Sequence, residues 1–450
     1  MQKEYFTLLD ILPALLWLVI IVVTGFAIRN ANTDKPHYKY YMPNLFAKLF
    51  FSFAFACVYI FYYGGGDTTA YYDGAVALNN LFLKSPTLYF EQMLSPPNMY
   101  KFTQYFDLQT TYPPGWIYRE PEGFFVCKLM SLISFLTLKS YLAMTFIMAF
   151  VTSIVSWKLF LLVRNYKFSN KKLLAFGVLL LPSVNFWCTG VSKDTVVFIA
   201  AITMIVNIFK LISSNYQTGL KNYFFLILSA FVIYHIRSFV LASILLPILF
   251  SLGVRLVKSL GGGHNAVVFF RTFFILIGFA IGGRTLLIQS EGDFLKSNSF
   301  LQQAAIIQDD FQNNDSYGTK RYSLGDVEFT PLGLIKTSPL AIITGVYRPF
   351  IWEARSITLL INGLESIIFI FFTFIFFKAG IKAKWRKIRS HEFLIFCFLF
   401  VFIIAFMTGL TSGLYGVLVR LRAPLLPFLF ILLTIEWNSL TPTQEKRLIS

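Results

Sequence analysis

Apolar runs of helix length, separated by short polar segments, follow one another along the chain. An α-helix needs about 20 apolar residues to span a bilayer, and runs of that length predict about eleven crossings, within a range of roughly 10–13. They lie at residues 7–28, 44–64, 140–164, 173–190, 193–213, 222–237, 238–257, 267–288, 357–378, 391–411 and 417–436. We therefore expect an all-α polytopic membrane protein in which residues 1–450 form a single integral membrane domain.

The composition agrees with this class. Of the 450 residues, 56% are hydrophobic and only 14% are charged, against the roughly 25% charge of a soluble domain. A soluble core could not hide 52 phenylalanines together with the other apolar residues, so a soluble globular protein is excluded. The four cysteines lie singly in apolar stretches, without CxxC spacing or a nearby histidine, which argues against disulfides and a zinc site.

The distribution of basic residues predicts the orientation, because short cytoplasmic loops are enriched in Lys and Arg. Placing the basic segments inside puts the N-terminus outside, the C-terminus inside, and two long segments outside, at residues 65–122 and 289–356. These two outer loops carry 14 of the 22 acidic residues. The net charge of +17 is then a consequence of topology and does not indicate nucleic-acid binding. Segment 123–138 is apolar but short, which predicts a re-entrant or tilted half-helix.

Each outer loop is expected to carry an amphipathic helix that lies at the membrane interface. In the first loop, the sequence DTTAYYDGAVALNNLFLKS begins at Asp67. Its carboxylates, Asp67 and Asp73, would face water, and its apolar residues would face the membrane, namely Ala70, Ala75, Val76, Leu78 and Leu81. In the second loop, the apolar sequence PLAIITGVYRPFIWEARSI begins at Pro339 and predicts a second interfacial helix.

Ionisable residues from many separate segments fall near the outer boundary of this topology. Such residues at the edges of spanning helices are costly and usually face a bundle interior or a cavity. The set comprises Asp67, Asp73, Lys193, Asp194, His235, Arg237, Arg284, Arg348, Glu353, Arg355, Arg420 and Arg422. Its basic members predict an outward cavity for a substrate with an apolar tail and a phosphate or diphosphate head.

Several of these residues have a simpler structural interpretation. Asp67 follows three glycines and could accept a proton from a sugar hydroxyl, or it could N-cap the helix that follows. Asp73 is better explained as a solvated residue. Lys193 either binds phosphate or pairs with a nearby carboxylate, and the helix dipole alone explains Asp194. His235 and Arg237 interrupt an apolar run where an outward hairpin must turn. Either Arg237 binds phosphate and His235 shuttles protons, or the two residues form a simple polar turn.

The remaining arginines also allow two interpretations. Arg348 and Arg355 lie among interfacial aromatic residues, where they would hold a headgroup or a sugar, or Arg348 would form an internal salt bridge with Glu353. Arg420 and Arg422 fall in the first turns of the predicted last helix, where a cation opposes the helix dipole. They therefore require a compensating anion nearby, which would be a bound phosphate or Glu365.

Three segments carry a resemblance to a known class of enzymes. They are GDTTAYYDGA after the second crossing, YPPGW before segment 123–138, and PSVNFWCTGVSKD further on. With these segments and its layout, the chain resembles the GT-C class of polyprenyl-phosphate-sugar glycosyltransferases. The resemblance implies that Asp67 is the acidic residue of the first outer loop, a base or metal-assisting carboxylate, although one more crossing precedes this loop than in many members.

The chain is also similar in layout to Wzy- and EpsG-type polysaccharide polymerases. These enzymes are rich in Phe and Tyr and use outer-face arginines such as those in VRLRAP. That resemblance implies Arg348, Arg420 and Arg422 as essential groups.

The sequence thus predicts an inverting glycosyltransferase of a bacterial cytoplasmic membrane, with its active site facing the outside. It would pass a sugar or glycan from a polyprenyl (di)phosphate donor to a glycan, lipid or protein acceptor, in contact with membrane lipids. Asp67 is the predicted base, and no cofactor is required, although a divalent metal would be compatible. Phosphate ligands would be Lys193, Arg237, Arg348, Arg420 and Arg422, supported by Asp73, Asp194, His235, Arg284, Glu353 and Arg355.

Three alternatives stay open at this point. A polymerase of lipid-linked repeat units would use the same donor chemistry. A transporter or flippase would carry a lipid-linked or anionic solute without chemistry, and broken helices near the midplane would favour it. A structural membrane subunit would leave the one-sided set of arginines unexplained.

Overall fold

The computed structural model describes residues 5–166, 170–214, 217–259, 261, 263, 310, 321–325, 327–328, 331–378 and 381–435. Regular structure in these ranges is helical, apart from an isolated β-bridge between Arg321 and Leu414. The helices are α1 (Leu8–Asn30), α2 (Tyr41–Cys57), α3 (Asp67–Lys84), α4 (Pro86–Leu94), α5 (Phe102–Tyr105), α6 (Gly115–Arg119), α7 (Pro121–Leu136), α8 (Tyr141–Asn165), α9 (Lys171–Ala175), α10 (Pro182–Trp187), α11 (Lys193–Ser213), α12 (Leu220–Ser259), α13 (Pro331–Tyr347), α14 (Ile357–Lys378), α15 (Ile381–Ser390), α16 (Glu392–Thr411), α17 (Tyr415–Arg422) and α18 (Leu426–Leu433).

Eight helical segments of the described ranges are long and apolar enough to cross a bilayer. They are Leu8–Asn30, Pro36–Tyr62, Tyr141–Asn165, Lys193–Ser213, Leu220–Val257, Ile357–Lys378, Glu392–Thr411 and Tyr415–Leu433. The prediction of an all-α polytopic membrane protein is therefore confirmed. The predicted crossing at 267–288 lies outside the described residues, and the total of about eleven stays a prediction.

The predicted crossing at 173–190 is not a continuous helix. After α9 the chain forms a short π-helix, Phe176–Leu180, and Leu181 then has a non-helical backbone with ψ of 122°. Pro182 opens α10, as proline does at a first helical turn because it lacks an N–H to donate. The prediction of one spanning helix here is wrong, since apolar composition does not reveal where helical hydrogen bonding stops.

The two predicted crossings at 222–237 and 238–257 are joined without a loop. In α12, helical structure lies on both sides of Arg237. Arg237 itself is non-helical, with φ of −152° and ψ of 81°. The polar pair His235 and Arg237 therefore marks a kink at one residue. The predicted break at this polar pair is therefore confirmed at Arg237, and the reversal of chain direction expected there stays a prediction.

The chain divides into two compact units. Unit 1 holds Met1–Leu162 and Leu179–Ile244, and unit 2 holds Val163–Val178 and Leu245–Ser450. In unit 1, Asp10 of α1 accepts the backbone N–H groups of Tyr141 at 2.5 Å and Leu142 at 3.4 Å, at the start of α8. An acidic group near a helix N-terminus is stabilised in this way, which explains why a buried carboxylate is tolerated within an apolar helix.

The first outer loop of the prediction is largely helical, and its main helix, α3, packs on protein. Its face with Ala75, Leu78 and Leu81 is fully buried and lies against α7. The expectation that this face meets the membrane is wrong. Helix α7 supplies the apolar partner instead, since the short segment predicted as a half-helix forms a 16-residue helix at Pro121–Leu136.

In unit 2, α13 packs closely and antiparallel against α16. A Cβ on Gly345 would lie 2.0 Å from the carbonyl oxygen of Ala405, and one on Gly409 would lie 1.9 Å from that of Ala341. Both helices thus present an Ala-x-x-x-Gly pair, the small-residue pattern that brings membrane helices into close contact. The predicted interfacial helix at 339–357 is wrong in its bounds, because α13 begins at Pro331 and ends at Tyr347.

Candidate functional site

The turn that leads into α3 is built from glycine. Gly64, Gly65 and Gly66 have φ of 69°, 120° and 129°, a region that residues with a Cβ rarely adopt. The Thr69 hydroxyl accepts the Gly66 N–H at 3.1 Å and donates to the Gly66 carbonyl at 2.9 Å. Gly66 is therefore the N-cap residue. The alternative interpretation, in which Asp67 is the N-cap of α3, is wrong, because Asp67 is the first helical residue and Gly66 precedes it.

The surroundings of Asp67 are open and aromatic. Its side chain is half-buried in the first turn of α3, where the helix dipole favours a carboxylate. Tyr62 and Tyr63, just before the glycines, are exposed large aromatic residues. A hydroxylated molecule could reach this turn, so the position fits the predicted role of a base.

Asp73, two turns further along α3, has a definite partner. The Tyr5 hydroxyl donates a hydrogen bond of 3.1 Å to its carboxylate. Burial, followed by the charge of Asp73, raises the pKa of Tyr5 to about 12. The interpretation of Asp73 as a purely solvated residue is therefore wrong, because it is half-buried and hydrogen-bonded.

Lys193 lies at the start of α11 and pairs with the start of α7. Its ammonium group is 2.9 Å from the Glu120 carboxylate and 4.0 Å from that of Glu122. The Lys193 side chain is 16% exposed, whereas the Glu120 side chain is 50% exposed. Of the two interpretations of Lys193 that the sequence left open, the structure shows the pairing with a carboxylate. Solvent reaches the glutamate side chains of this pair.

The next residue, Asp194, pairs with the kink of α12. The Arg237 guanidinium lies 2.7 Å from the Asp194 carboxylate, and their side chains are 17% and 1% exposed. A buried carboxylate needs such a partner. Asp194 is therefore held by an ion pair in addition to the helix dipole, and the residue that breaks the helical backbone of α12 is the one that supplies the cation.

The Asp73 carboxylate of α3 and the Lys193 ammonium group of α11 both interact electrostatically with the buried thiol of Cys127. Gly74 lets α3 approach α7 so closely that a Cβ there would lie 2.5 Å from Cys127 Sγ. Burial raises the pKa of Cys127, and the charges of Lys193 and Asp73 also act on this thiol. Asp73 and Lys193 therefore belong to one neighbourhood in unit 1.

The Cys188 thiol interacts electrostatically with the Asp194–Arg237 ion pair and with Lys48. Lys48 is a buried lysine that was not predicted from the sequence. Burial raises the pKa of Cys188, and the charges of Asp194, Lys48 and Arg237 act on it. Lys48 is fully buried in α2 and donates a hydrogen bond to the Asn185 amide oxygen of α10. A lysine within a spanning helix is itself a functional-site signal, and it interrupts the second apolar run of the sequence.

We call Lys48, Asp73, Glu120, Lys193, Asp194 and Arg237 the unit 1 charge cluster. Ion pairs connect the starts of α7 and α11 with α12, and electrostatic interactions with Cys127 and Cys188 extend the cluster to α3 and α2. Cations and carboxylates are both present, and side chains of both signs keep some exposure. At Lys193 the arrangement can hold an anion by exchange of partners, since the carboxylates there are exposed and exposed ion pairs are worth only about 0–1 kcal/mol.

In unit 2, Arg348 is held by several internal contacts. Its guanidinium donates twice to Glu353 and once, at 3.0 Å, to the Tyr415 hydroxyl. It also lies 5.2 Å from the ring centre of Tyr322. Burial alone would raise the pKa of Glu353, but the hydrogen bonds from Arg348 and the Phe350 N–H lower it. The internal salt bridge that the sequence left open is the arrangement found.

Arg422 is also used by the protein itself. It is fully buried, and it donates to the carbonyl of Val346 at 3.1 Å and of Arg348 at 2.6 Å. These carbonyls lie at the C-terminal end of α13, where a cation is stabilised by the helix dipole. The charge of Glu365 also acts on Arg422. The carbonyl groups at the end of α13 and the Glu365 carboxylate thus supply the negative groups near Arg422, where a bound phosphate was one of the two predicted anions.

We call Arg348, Glu353, Tyr415 and Arg422 the unit 2 arginine cluster. Of the other predicted residues, Arg420 is half-buried and Arg355 is exposed. His235 is exposed, and its ring stacks on Phe125 of α7 at 5.1 Å. Arg284 lies outside the described residues. Among the residues that are described, no group of three or more His, Cys, Asp or Glu side chains is placed to hold a metal ion.

The predicted phosphate ligands thus belong to two separate sets. Lys193 and Arg237 lie in unit 1, and Arg348, Arg420 and Arg422 lie in unit 2. The chain matches no protein-family profile, no curated protein and no solved structure.

Proposed function

We propose that the protein is a membrane glycosyltransferase, which passes a sugar or glycan from a polyprenyl (di)phosphate donor to an acceptor at the outer face of a bacterial cytoplasmic membrane. One observation carries this proposal. The unit 1 charge cluster pairs Lys193 with the exposed carboxylate of Glu120 and holds a second cation, Arg237, against the buried carboxylate of Asp194. Asp67 opens a helix of the same cluster beside exposed aromatic residues. Base and anion ligands are thus present in one compact unit of a membrane protein.

In the proposed reaction, the Asp67 carboxylate takes the proton of an acceptor hydroxyl. The acceptor oxygen then attacks the anomeric carbon of the donor sugar, and the bond from that carbon to the phosphate oxygen breaks. The polyprenyl (di)phosphate leaves with the bonding electrons. Lys193 and Arg237 offset the charge that develops on it, because preorganised cations stabilise a leaving anion.

The weak partners of Lys193 support this role. Glu120 and Glu122 have side chains that are 50% and 62% exposed, so water competes with Lys193 for both carboxylates. Exposed ion pairs of this kind contribute little free energy. A phosphate could therefore replace Glu120 at Lys193 with little loss of stability.

The proposal is tested with the Asp67→Asn variant in lipid vesicles that contain a polyprenyl-diphosphate sugar and an acceptor. Transfer should fall about 10²–10⁴-fold, the usual contribution of a general base, while donor binding stays at the parent level. Asn keeps the shape of Asp, and the N-cap residue of α3 is Gly66 rather than Asp67. Folding is therefore not expected to change. Asp73→Asn is the matched control, because Asp73 lies on the same helix and should have a much smaller effect. Transfer by the Asp67→Asn variant at the parent rate would refute the proposed base.

A second candidate is a transporter or flippase of a lipid-linked or anionic solute. The broken segment at 171–187 and the kink of α12 at Arg237 favour it, since discontinuous helices often line transport sites. A fluorescent polyprenyl-linked sugar in vesicles separates the two functions. Movement across the bilayer without chemical conversion, unaffected in the Asp67→Asn variant, would indicate transport.

A further inference from the structure

Unit 2 contains an apolar cavity that the proposed reaction does not use. It has a volume of about 540 Å³, within the roughly 300–1,000 Å³ of typical ligand pockets. Residues from α13, α14, α15, α16 and α18 surround it, among them Ile342, Phe376, Trp385, Val401 and Leu432. A cavity with this lining has room for a hydrocarbon chain and few groups that could hold a polar molecule.

The wall that α15 contributes is one face of a strongly basic helix. Ile381, Trp385 and Ile388 line the cavity, at the i, i+4, i+7 spacing of one helix face. Lys382, Arg386 and Arg389 repeat the same spacing on another face and are all exposed. Helix α15 therefore has the pattern of a helix that lies in the plane of a membrane surface with anionic lipids.

A buried lysine brings positive charge to the cavity wall itself. Lys384 is 3% exposed, and its ammonium group lies 4.3 Å from the ring centre of Phe376, which lines the cavity. Burial lowers the pKa of Lys384 to about 8. A neighbouring anion would favour its charged form.

We propose that this cavity binds one acyl chain of an anionic phospholipid, whose phosphate headgroup is held by the exposed cations of α15. The charge pattern selects this occupant. An apolar cavity alone would accept the chains of any lipid, but three exposed cations beside its wall discriminate between charged and neutral headgroups. Basic residues near an anionic lipid surface each contribute about 1 kcal/mol, so three cations give a preference of about 100-fold.

The test is competition between two lipids with identical chains. The full-length protein is equilibrated with mixed vesicles of dioleoylphosphatidylglycerol and dioleoylphosphatidylcholine, and retained lipid is counted by native mass spectrometry after extraction. The parent protein should retain one phosphatidylglycerol molecule with a preference of about 100-fold. The triple variant Lys382→Gln, Arg386→Gln, Arg389→Gln should lose that preference, while the control Lys171→Gln, Lys172→Gln, Lys221→Gln, with the same loss of exposed charge, should keep it.

A second pair of variants tests the cavity. Ile342→Trp should fill it and abolish retention, whereas Leu364→Trp, on an exposed face of α14 outside the lining, should not. The triple variant alters exposed side chains only, so it remains informative even where Ile342→Trp fails to accumulate. Equal retention of both lipids by the parent protein, or equal losses in the triple variant and its control, would overturn the proposal. Preferred retention of added polyprenyl phosphate over phosphatidylglycerol would overturn the assignment of the occupant.

Discussion

The unit 1 charge cluster and the unit 2 arginine cluster contain similar residues but differ in what surrounds them. In unit 2, Arg422 is fully buried and donates to two backbone carbonyls, and Arg348 is held by Glu353 and Tyr415. In unit 1, Lys193 pairs with glutamates whose side chains are half exposed or more. A buried cation bonded to the backbone stabilises a fold, whereas a cation with exposed partners can exchange them for a ligand. The comparison therefore supports the proposal that Lys193 of unit 1 binds substrate, and it indicates structural roles for Arg348 and Arg422.

The largest expected effect is on stability in unit 2. Arg422→Met removes the cation at the C-terminal end of α13 and leaves buried carbonyls and Glu365 without it. Breaking a buried charged network in this way costs about 3–5 kcal/mol, so the midpoint of unfolding in detergent micelles should fall strongly. Arg420→Met is the matched control, because Arg420 lies on the same helix but is only half-buried. Equal midpoints for the Arg422→Met variant and the parent would contradict the structural role.

The α13–α16 contact should be nearly as sensitive. In the Gly409→Leu variant the new side chain would overlap the Ala341 carbonyl, and overpacking of this kind costs about 1–3 kcal/mol or more. Gly416→Leu serves as the control, since a Cβ at Gly416 meets nothing within 4 Å. Thermal unfolding of both variants measures the difference. A Gly409→Leu midpoint as high as that of Gly416→Leu would mean that the two helices do not pack in this register.

A smaller effect is expected at the Arg348–Glu353 pair. The double-mutant cycle of Arg348→Gln and Glu353→Gln should give a coupling energy of about 0.5–3 kcal/mol. The pKa of Glu353 is lowered from its ordinary 4.5. The pair's contribution should therefore be complete above pH 4.5 and should disappear as the pH falls through the lowered pKa. A coupling energy near zero at neutral pH would show that Arg348 is available to a ligand.

Apolar periodicity predicted many of the long helices well, because the spanning helix is the unit that a bilayer selects. The runs at 193–213 and 357–378 coincide with α11 and α14. Among the discontinuities, the break at Arg237 was predicted, because a polar pair interrupts the apolar run there. Leu181 and the turn of residues 423–425 interrupt helices within apolar sequence, where hydropathy is insensitive to a single non-helical residue or a short turn.

The candidate site was predicted in its residue types but not in its pairing. Arg422 contacts carbonyls that lie more than 70 positions earlier in the chain, and no local pattern encodes such a contact. Lys48 was a different case. It is a lone lysine within an apolar run, so the rule that ionisable residues inside the membrane are functional would have selected it.

The most direct test of the central claim is the effect of Lys193→Met on transfer and on stability, measured on the same purified protein in lipid vesicles. The account predicts that transfer falls about 10²–10³-fold, the usual loss when an oriented charge on a leaving group is removed, while the unfolding midpoint stays at the parent value. Lys210→Met, an exposed lysine at the other end of α11, should change neither quantity. Transfer at the parent rate in the Lys193→Met variant, or a loss that only follows a fall in folded protein, would contradict the assignment of substrate binding to unit 1.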